Sequence, residues 1–178
     1  MMDDGHFQKN GIRLRAPEPE DLEAMFRFEN AADVWEVSNT TGPYSRFQLK
    51  QYIEQTQNDL FADRQLRLMI ENEQRRVVGI IDLCSFDPLH NRAELGIVVD
   101  KEYRRQGIGG TALSLLEEHC FRYLGIHQLF AYIAVDNLPC RRLFAVHGYK
   151  EGAVLKDWIH TFGGSYTDVL VVQKIRLN

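Results

Sequence analysis

Residues 93–124 constrain the fold more than any other stretch. AELGIVV, with the composition of a strand, passes through the charged DKEYRR into QGIGGTALSLLEEHCFRYL, which repeats at helical spacing. A strand that hands over to a helix through Gly107, Gly109 and Gly110 leaves backbone N–H groups unpaired at the helix start, where the helix dipole also favours negative charge. Glycine lets an anion approach the backbone closely, and Arg104 and Arg105 add charge at the same point. The junction reads as a phosphate site; the plainer alternative is that the glycines only turn the chain and the arginines only solvate it.

The rest of the chain sets the context. IRLR at 12–15 reads as a short strand and PEDLEAMFRFEN after it as a helix, with Pro19, Glu20 and Asp21 suited to a first turn. Ser45 and Gln48 have the form of a capping box, so a second helix is expected from there to about Ala62. LRLMIEN and VVGIIDLCSF form a hairpin around Glu73, Gln74 and Arg75, and AELGIVV follows as a third strand. After the glycine helix, HQLFAYIAV is a buried strand, and Asn137 caps a short helix to about His147 with Pro139 in its first turn. Two strands flanking Gly163 and Gly164 close the chain. The order β-α-α-β-β-β-α-β-α-β-β is mixed α/β, with about seven strands and about four helices, and is too irregular for a doubly wound sheet.

With 178 residues, 44% of them hydrophobic, and no repeat or linker, one domain over 1–178 is expected, with 1–10 as a flexible extension. A net charge of −4 provides no basic footprint for nucleic acid. No apolar run approaches the roughly 20 residues that span a bilayer, and the start MMDDGHFQKN has neither part of a signal peptide, so a cytoplasmic protein is expected. Cys84, Cys120 and Cys140 are widely spaced and odd in number, which fits buried reduced thiols; no cysteine or histidine spacing suggests a metal.

Two phosphate motifs compete for the glycine loop. The G-x-x-x-x-G-K-[ST] loop is absent, because no lysine follows the glycines. Gly107, Gly109 and Ala112 satisfy G-x-G-x-x-A, and Asp136 lies 24 residues beyond Ala112, where a ribose-binding acid could sit. Context removes this rival: six residues, DKEYRR, separate the strand from the glycines, and the 66 residues after Ala112 are too few for a nicotinamide domain.

Arg104, Gly107 and Gly109 as R-x-x-G-x-G, opening a helix after a strand and a polar turn, resemble the acetyl-CoA pyrophosphate loop of the GCN5-related N-acetyltransferase (GNAT) superfamily. Asn137, Leu143, Gly148 and Tyr149 resemble its later segment N-x-x-A/S-x-x-L-Y-x-x-x-G-F. RLRAPEPEDLEAMFRFEN and NRAELGIVVDKEYRRQGIGG look like the branch holding spermidine N-acetyltransferases and ribosomal-protein N-terminal acetyltransferases. The resemblance covers about residues 11–176. It implies a mostly antiparallel central sheet, acetyl-CoA as co-substrate, and a fourth strand that splays from the fifth so that pantetheine pairs with it.

On that resemblance Ile97, Val98 and Val99 hold pantetheine through their backbones, and an amide near Leu95 or Ile97 polarises the thioester carbonyl. Arg104, Arg105, Gln106, Gly107, Ile108, Gly109, Gly110 and Thr111 form the pyrophosphate loop, while Asn137 and Phe144 contact the cofactor from the later helix. Gly96, inside the strand, is expected to mark a bulge or a close backbone approach. A primary amine with a pKa of roughly 10 is charged at neutral pH, so a base is needed. Glu94 is the candidate, because partial burial in its apolar strand would raise its pKa toward the useful range; it could instead be a solvated charge or a partner of Arg92.

Phe144 stands where the family has the tyrosine that protonates the departing thiolate. Cys140, His147, Tyr166 or water remain for that role. A cationic polyamine acceptor would want carboxylates at the cleft, and Glu29, Asp33, Glu36, Asp59, Asp63 and Asp157 lie on the segments that flank it in this fold. A peptide N-terminus, another small amine, or a silent acetyl-CoA sensor are the alternatives, and a homo-oligomer is common in the resembled branch.

Overall fold

Alternating apolar and polar residues build the strands of one sheet in the computed structural model, which describes residues 4–35 and 40–177. These are β1 (Gln8–Lys9), β2 (Ile12–Arg15), β3 (Leu66–Glu71), β4 (Val77–Asp87), β5 (Arg92–Val99), β6 (Gln128–Ala134), β7 (Lys150–His160) and β8 (Tyr166–Ile175). Their spatial order is β1-β2-β3-β4-β5-β6-β8-β7, and only β5 and β6 run parallel. The helices are α1 (Leu22–Glu29), α2 (Ala32–Trp35), α3 (Arg46–Gln55), α4 (Leu60–Asp63), α5 (Ile108–Glu118) and α6 (Leu138–Val146).

The mixed, mostly antiparallel fold is borne out. The eighth strand is two-residue β1, in the segment set apart in the sequence as an extension, and the added helices are the four-residue α2 and α4. Among the described residues no helix is long and apolar enough to cross a membrane.

Helices cover both faces of the sheet. On one face, Leu113 and Leu116 of α5 and Phe144 of α6 join Ile81, Leu83, Leu95 and Leu129 in the larger core cluster. On the other, Met25 and Phe28 of α1 and Leu49 of α3 pack with Met69 and Ile80. Each such side chain contributes about 1.5–3 kcal/mol on leaving water, so the alternation of Leu68 with Met69, and of Ile80 with Ile81, fixes which strand face meets which helix layer. Arg15 ties the entry of α1 to the sheet, at 2.7 Å from Asp21 and 2.6 Å from Glu71.

The capping box at α3 is present in both directions, with Gln48 N donating to Ser45 Oγ at 3.1 Å and Ser45 N to Gln48 Oε1 at 2.8 Å. The helix does not reach Ala62. It ends at Gln55, Asn58 turns the chain at φ 49°, and Asp59 starts α4 by accepting from Phe61 N and Ala62 N at 2.8 Å. Asn and Asp side chains offer the backbone such local alternatives to a continuous helix, and that competition overrides the apolar periodicity.

Candidate active site

β5 and β6 pair over Arg92↔Gln128, Ala93↔Leu129 and Glu94↔Phe130, and then part. Beyond that vertex β5 stays zipped to β4, from Leu83↔Leu95 to Gly79↔Val99, while β6 stays zipped to β8, from Ala131↔Val172 to Ala134↔Val169. Two backbone edges are thereby left facing an opening. Unpaired strand edges are templates for an added extended chain.

The bulge expected at Gly96 lies elsewhere. β5 is regular against β4 from Glu94 to Val99, and the irregularity falls in β4 between Cys84 and Asp87, where Ser85 has φ 51°. That extra residue re-aims a side chain, as bulges do: Ser85 Oγ donates to Glu94 Oε2 at 3.2 Å. A Cβ at Gly96 would meet nothing within 4 Å, so the sheet face is open there. Strand pairing places Glu94, Gly96, Cys84, Asp82, Phe130 and Tyr132 on one sheet face, opposite the face that α5 covers.

At the mouth of the opening β5 leads through a 3-10 turn at Lys101–Tyr103 to the glycine loop. Gly107 is the N-cap of α5 at φ 78°, a left-handed geometry that a side chain would strain. Its carbonyl accepts from Thr111 N at 3.0 Å, the first bond of the helix, so the amides of Ile108, Gly109 and Gly110 are the free donors of the first turn. Gly109 packs under Leu143, Val99 and Ile97, at 3.5 to 3.8 Å from a would-be Cβ. Gln106 Nε2 donates back to Glu102 O at 3.2 Å, closing the loop on itself.

The two arginines divide. Arg104 donates to Val99 O and to Asp33 Oδ2, both at 2.8 Å, which fastens the loop to α2 and occupies the Val99 carbonyl. Arg105, at φ 62° and exposed, has no polar partner among the described residues and is the loop's free cation.

On α6, Asn137 Oδ1 caps the helix by accepting from Cys140 N at 3.2 Å. Phe144 is 1% exposed, with its ring edge-on to Tyr149 at 4.8 Å, so it fills the core rather than lining the opening. The Cys140 thiol is pushed up to about 11 by burial. Cys84 goes to about 12, by burial and then by Glu94 and Asp82. Cys120 is buried and likewise pushed up, and all three are free thiols. His147 turns toward Glu117 of α5, and Tyr166 lies exposed at the first residue of β8 against His160. Among the described residues no three His, Cys, Asp or Glu side chains gather as metal ligands.

The acidic residues singled out in the sequence are mostly engaged. Glu29 and Asp82 clasp Arg67 from two sides, with Asp82 Oδ2 at 2.8 Å. Asp33 is shared by Arg104 and Lys101, which with desolvation working against them hold its carboxyl below the usual range. Asp59 caps α4, and Asp63 accepts from Thr56 Oγ1 and Gln57 N, each at 3.0 Å. Asp157 is exposed beside Trp158 on β7, and Glu36 lies outside the described residues. A cleft of about 300 Å³ under α1 and α2 is lined by Arg27, Lys101 and Arg104 as well as Asp33 and Asp100. That mixed charge does not suit a polycation.

Sequence reasoning missed Ser85 and an aromatic pair on the Glu94 face. Tyr132 stacks near-parallel on Trp158, centroids 6.4 Å apart, and meets Phe130 edge-on at 5.7 Å. The period of HQLFAYIAV carried part of this signal, because Leu129, Ala131 and Ile133 are buried and the residues between them face out.

A family model described as acetyltransferase (GNAT) domain matches residues 12–150. Spermidine N(1)-acetyltransferase of Vibrio cholerae is 24% identical over 160 residues, covering 89% of both chains. An uncharacterised N-acetyltransferase of Bacillus subtilis is 28% identical over 169 residues, covering 92% of this chain and 93% of that one. Among solved structures, the Vibrio cholerae spermidine N-acetyltransferase in complex with CoA and spermine superposes with a TM-score of 0.82 at 23% identity, covering 94% and 97% of the two chains. A Vibrio cholerae spermidine N-acetyltransferase described as dodecameric gives 0.79 at 22%, covering 94% and 95%. Open β5–β6 edges beside a glycine-capped helix, on a chain that carries the family match over residues 12–150, identify it: the protein belongs to the GNAT acetyltransferase family, enzymes that move an acetyl group from acetyl-CoA.

Proposed function

We propose that the protein acetylates a primary amine by direct attack on acetyl-CoA, with a polyamine such as spermidine as acceptor. The parting of β5 from β6 at Glu94 and Phe130 carries the donor half of this reading. Pantetheine lies along Ile97 and Val98 in place of the missing strand, and the pyrophosphate sits on the amides of Ile108, Gly109 and Gly110 beside Arg105. Val99 contributes contact without its carbonyl, which Arg104 occupies. The remaining loop residues shape the site: Gln106 and Thr111 by closing the turn and first helical bond, Arg104 by anchoring to Asp33.

On the opposite face the amine arrives over Gly96, where the surface is open. Glu94, steadied by Ser85, takes its proton directly or through one water. The neutral nitrogen attacks the thioester carbon, a backbone amide near Leu95 or Ile97 holds the oxyanion, and collapse expels the CoA thiolate. Solvent returns the thiolate's proton. Phe144 has none to give, and transfer from a Cys140 thiol near 11 to a thiolate of about 8.5 runs uphill.

The acceptor assignment is supported by the spermidine acetyltransferases among the relatives and by Phe130, Tyr132 and Trp158 on the sheet face that carries Glu94, since aromatic faces attract ammonium groups. Thiol release with spermidine, spermine, small amines and N-terminal peptides tests it: spermidine turns over fastest, and faster turnover of a peptide would replace the polyamine. We also infer self-association. β7 is the longer of the two edge strands of the sheet and is exposed at every residue but Leu155 and Ile159, an edge that chains cover or blunt. Light scattering should return a mass above one chain.

A further inference from the structure

Glu117 is a buried carboxylate two turns along α5 from the glycine loop. Its Oε2 takes Lys174 Nζ of β8 at 2.7 Å and lies 3.7 Å from Nδ1 of His147. Its Oε1 and the hydroxyl of Tyr149 are both buried without a hydrogen bond of good geometry, and the phenol faces the carboxylate. Burial and then the Glu117 charge push the Tyr149 phenol well up, which keeps that hydroxyl protonated beside the carboxylate. Cys120, also next to Glu117, is held as the thiol in the same way. The one member of the cluster that reaches the cofactor side is His147. It caps the C-terminal end of α6, where the helix dipole favours a cation, and its Nε2 lies 3.2 Å from the point where a side chain on Gly110 would begin.

We propose that His147 is a phosphate-binding residue of the donor site: the Glu117 carboxylate, 3.7 Å from Nδ1, sets the side the ring faces, and Nε2 donates to the pyrophosphate of acetyl-CoA at the first turn of α5. This rests on the pyrophosphate placement proposed above. The same Oε2 already pairs with Lys174, so removing Glu117 takes away the ring's neighbour and leaves the ammonium unpaired beside it. Gly110 is the residue whose lack of a side chain makes room for the imidazole.

The test compares three donors: acetyl-CoA, acetyl-dephospho-CoA and acetyl-pantetheine, the last without any pyrophosphate. His147→Ala should raise KM about tenfold for the first two, the size expected for one charge-assisted hydrogen bond, and leave kcat and the acetyl-pantetheine KM unchanged. Glu117→Gln should raise the same two KM values by less. Equal losses with acetyl-pantetheine would make His147 a structural residue and overturn the proposal. A penalty confined to acetyl-CoA would move the imidazole to the 3′-phosphate and overturn the pyrophosphate contact. If the wild-type protein itself does not distinguish acetyl-dephospho-CoA from acetyl-pantetheine, the loop placement fails; if it does and His147→Ala changes nothing, only this inference fails.

Discussion

The two long edges of β5 bear opposite signs of completeness. Toward β4 the strand is registered from Glu94 to Val99, and toward β6 pairing stops at Glu94. A backbone polar group left without a partner costs about 1–3 kcal/mol when it is buried, so an open edge inside a sheet persists where water or a ligand completes it. The donor and acceptor sides differ in the same way. On the donor side recognition is carried by backbone: an unpaired strand edge and three helix amides. On the acceptor side it is carried by side chains, and most of the charged ones are already matched, Glu29 and Asp82 by Arg67 and Asp33 by Arg104. Backbone recognition needs particular glycines at particular spacings, whereas side-chain recognition depends on what the fold brings alongside.

The largest expected effect lies on the acceptor side. Glu94→Gln should lower kcat by about 10² to 10⁴, the range for losing a general base, with the KM for acetyl-CoA little changed; stopped assays at varied donor check both. A normal kcat would move proton removal away from the vertex.

Gly109→Asp breaks the other side. It puts a carboxylate among the helix amides under Leu143 and Val99, and CoA affinity by calorimetry should fall about a hundredfold. Gly109→Ala, which adds bulk at ordinary contact distance without charge, should cost far less.

Arg67→Met sharpens the comparison by leaving Glu29 and Asp82 facing each other half-buried. Chemical denaturation should show a loss of about 2–3 kcal/mol, whereas CoA affinity should hold.

The smallest effect belongs at the far end of α5, away from both edges. His119, half-buried beside His6, Phe7 and Tyr123, is pushed down to about 4 by burial and then by His6. The folded chain holds it neutral where an unfolded one binds a proton, so stability rises with pH between about 4 and 6.5 and is lost on acidification. Screening of a half-exposed ring limits the contribution to about 1–2 kcal/mol. His119→Gln should flatten that slope in pH-dependent denaturation and leave catalysis intact.

The parts of the molecule legible in sequence are those that local chemistry decides. The strand alternation, the Ser45 box, the Asn137 cap and the glycine loop each follow from neighbours within a few residues, and each is found where expected. Three things were hidden, for one shared reason. The bulge that aims Ser85 at Glu94 sits in β4, because register between two strands decides it and Gly96 alone does not. Whether Arg104 is free for phosphate depends on Asp33, which is 71 residues away in the chain. Phe144 reads as a cofactor contact by its place in the motif, yet packing against Tyr149 puts it in the core.

Backbone amide exchange with and without CoA tests the central claim most directly, because it reads the edges themselves. The account predicts that CoA slows exchange across Leu95–Val99 and Ile108–Gly110, and leaves the β7 edge as it was. Protection that appeared elsewhere, with those two segments unchanged, would contradict it.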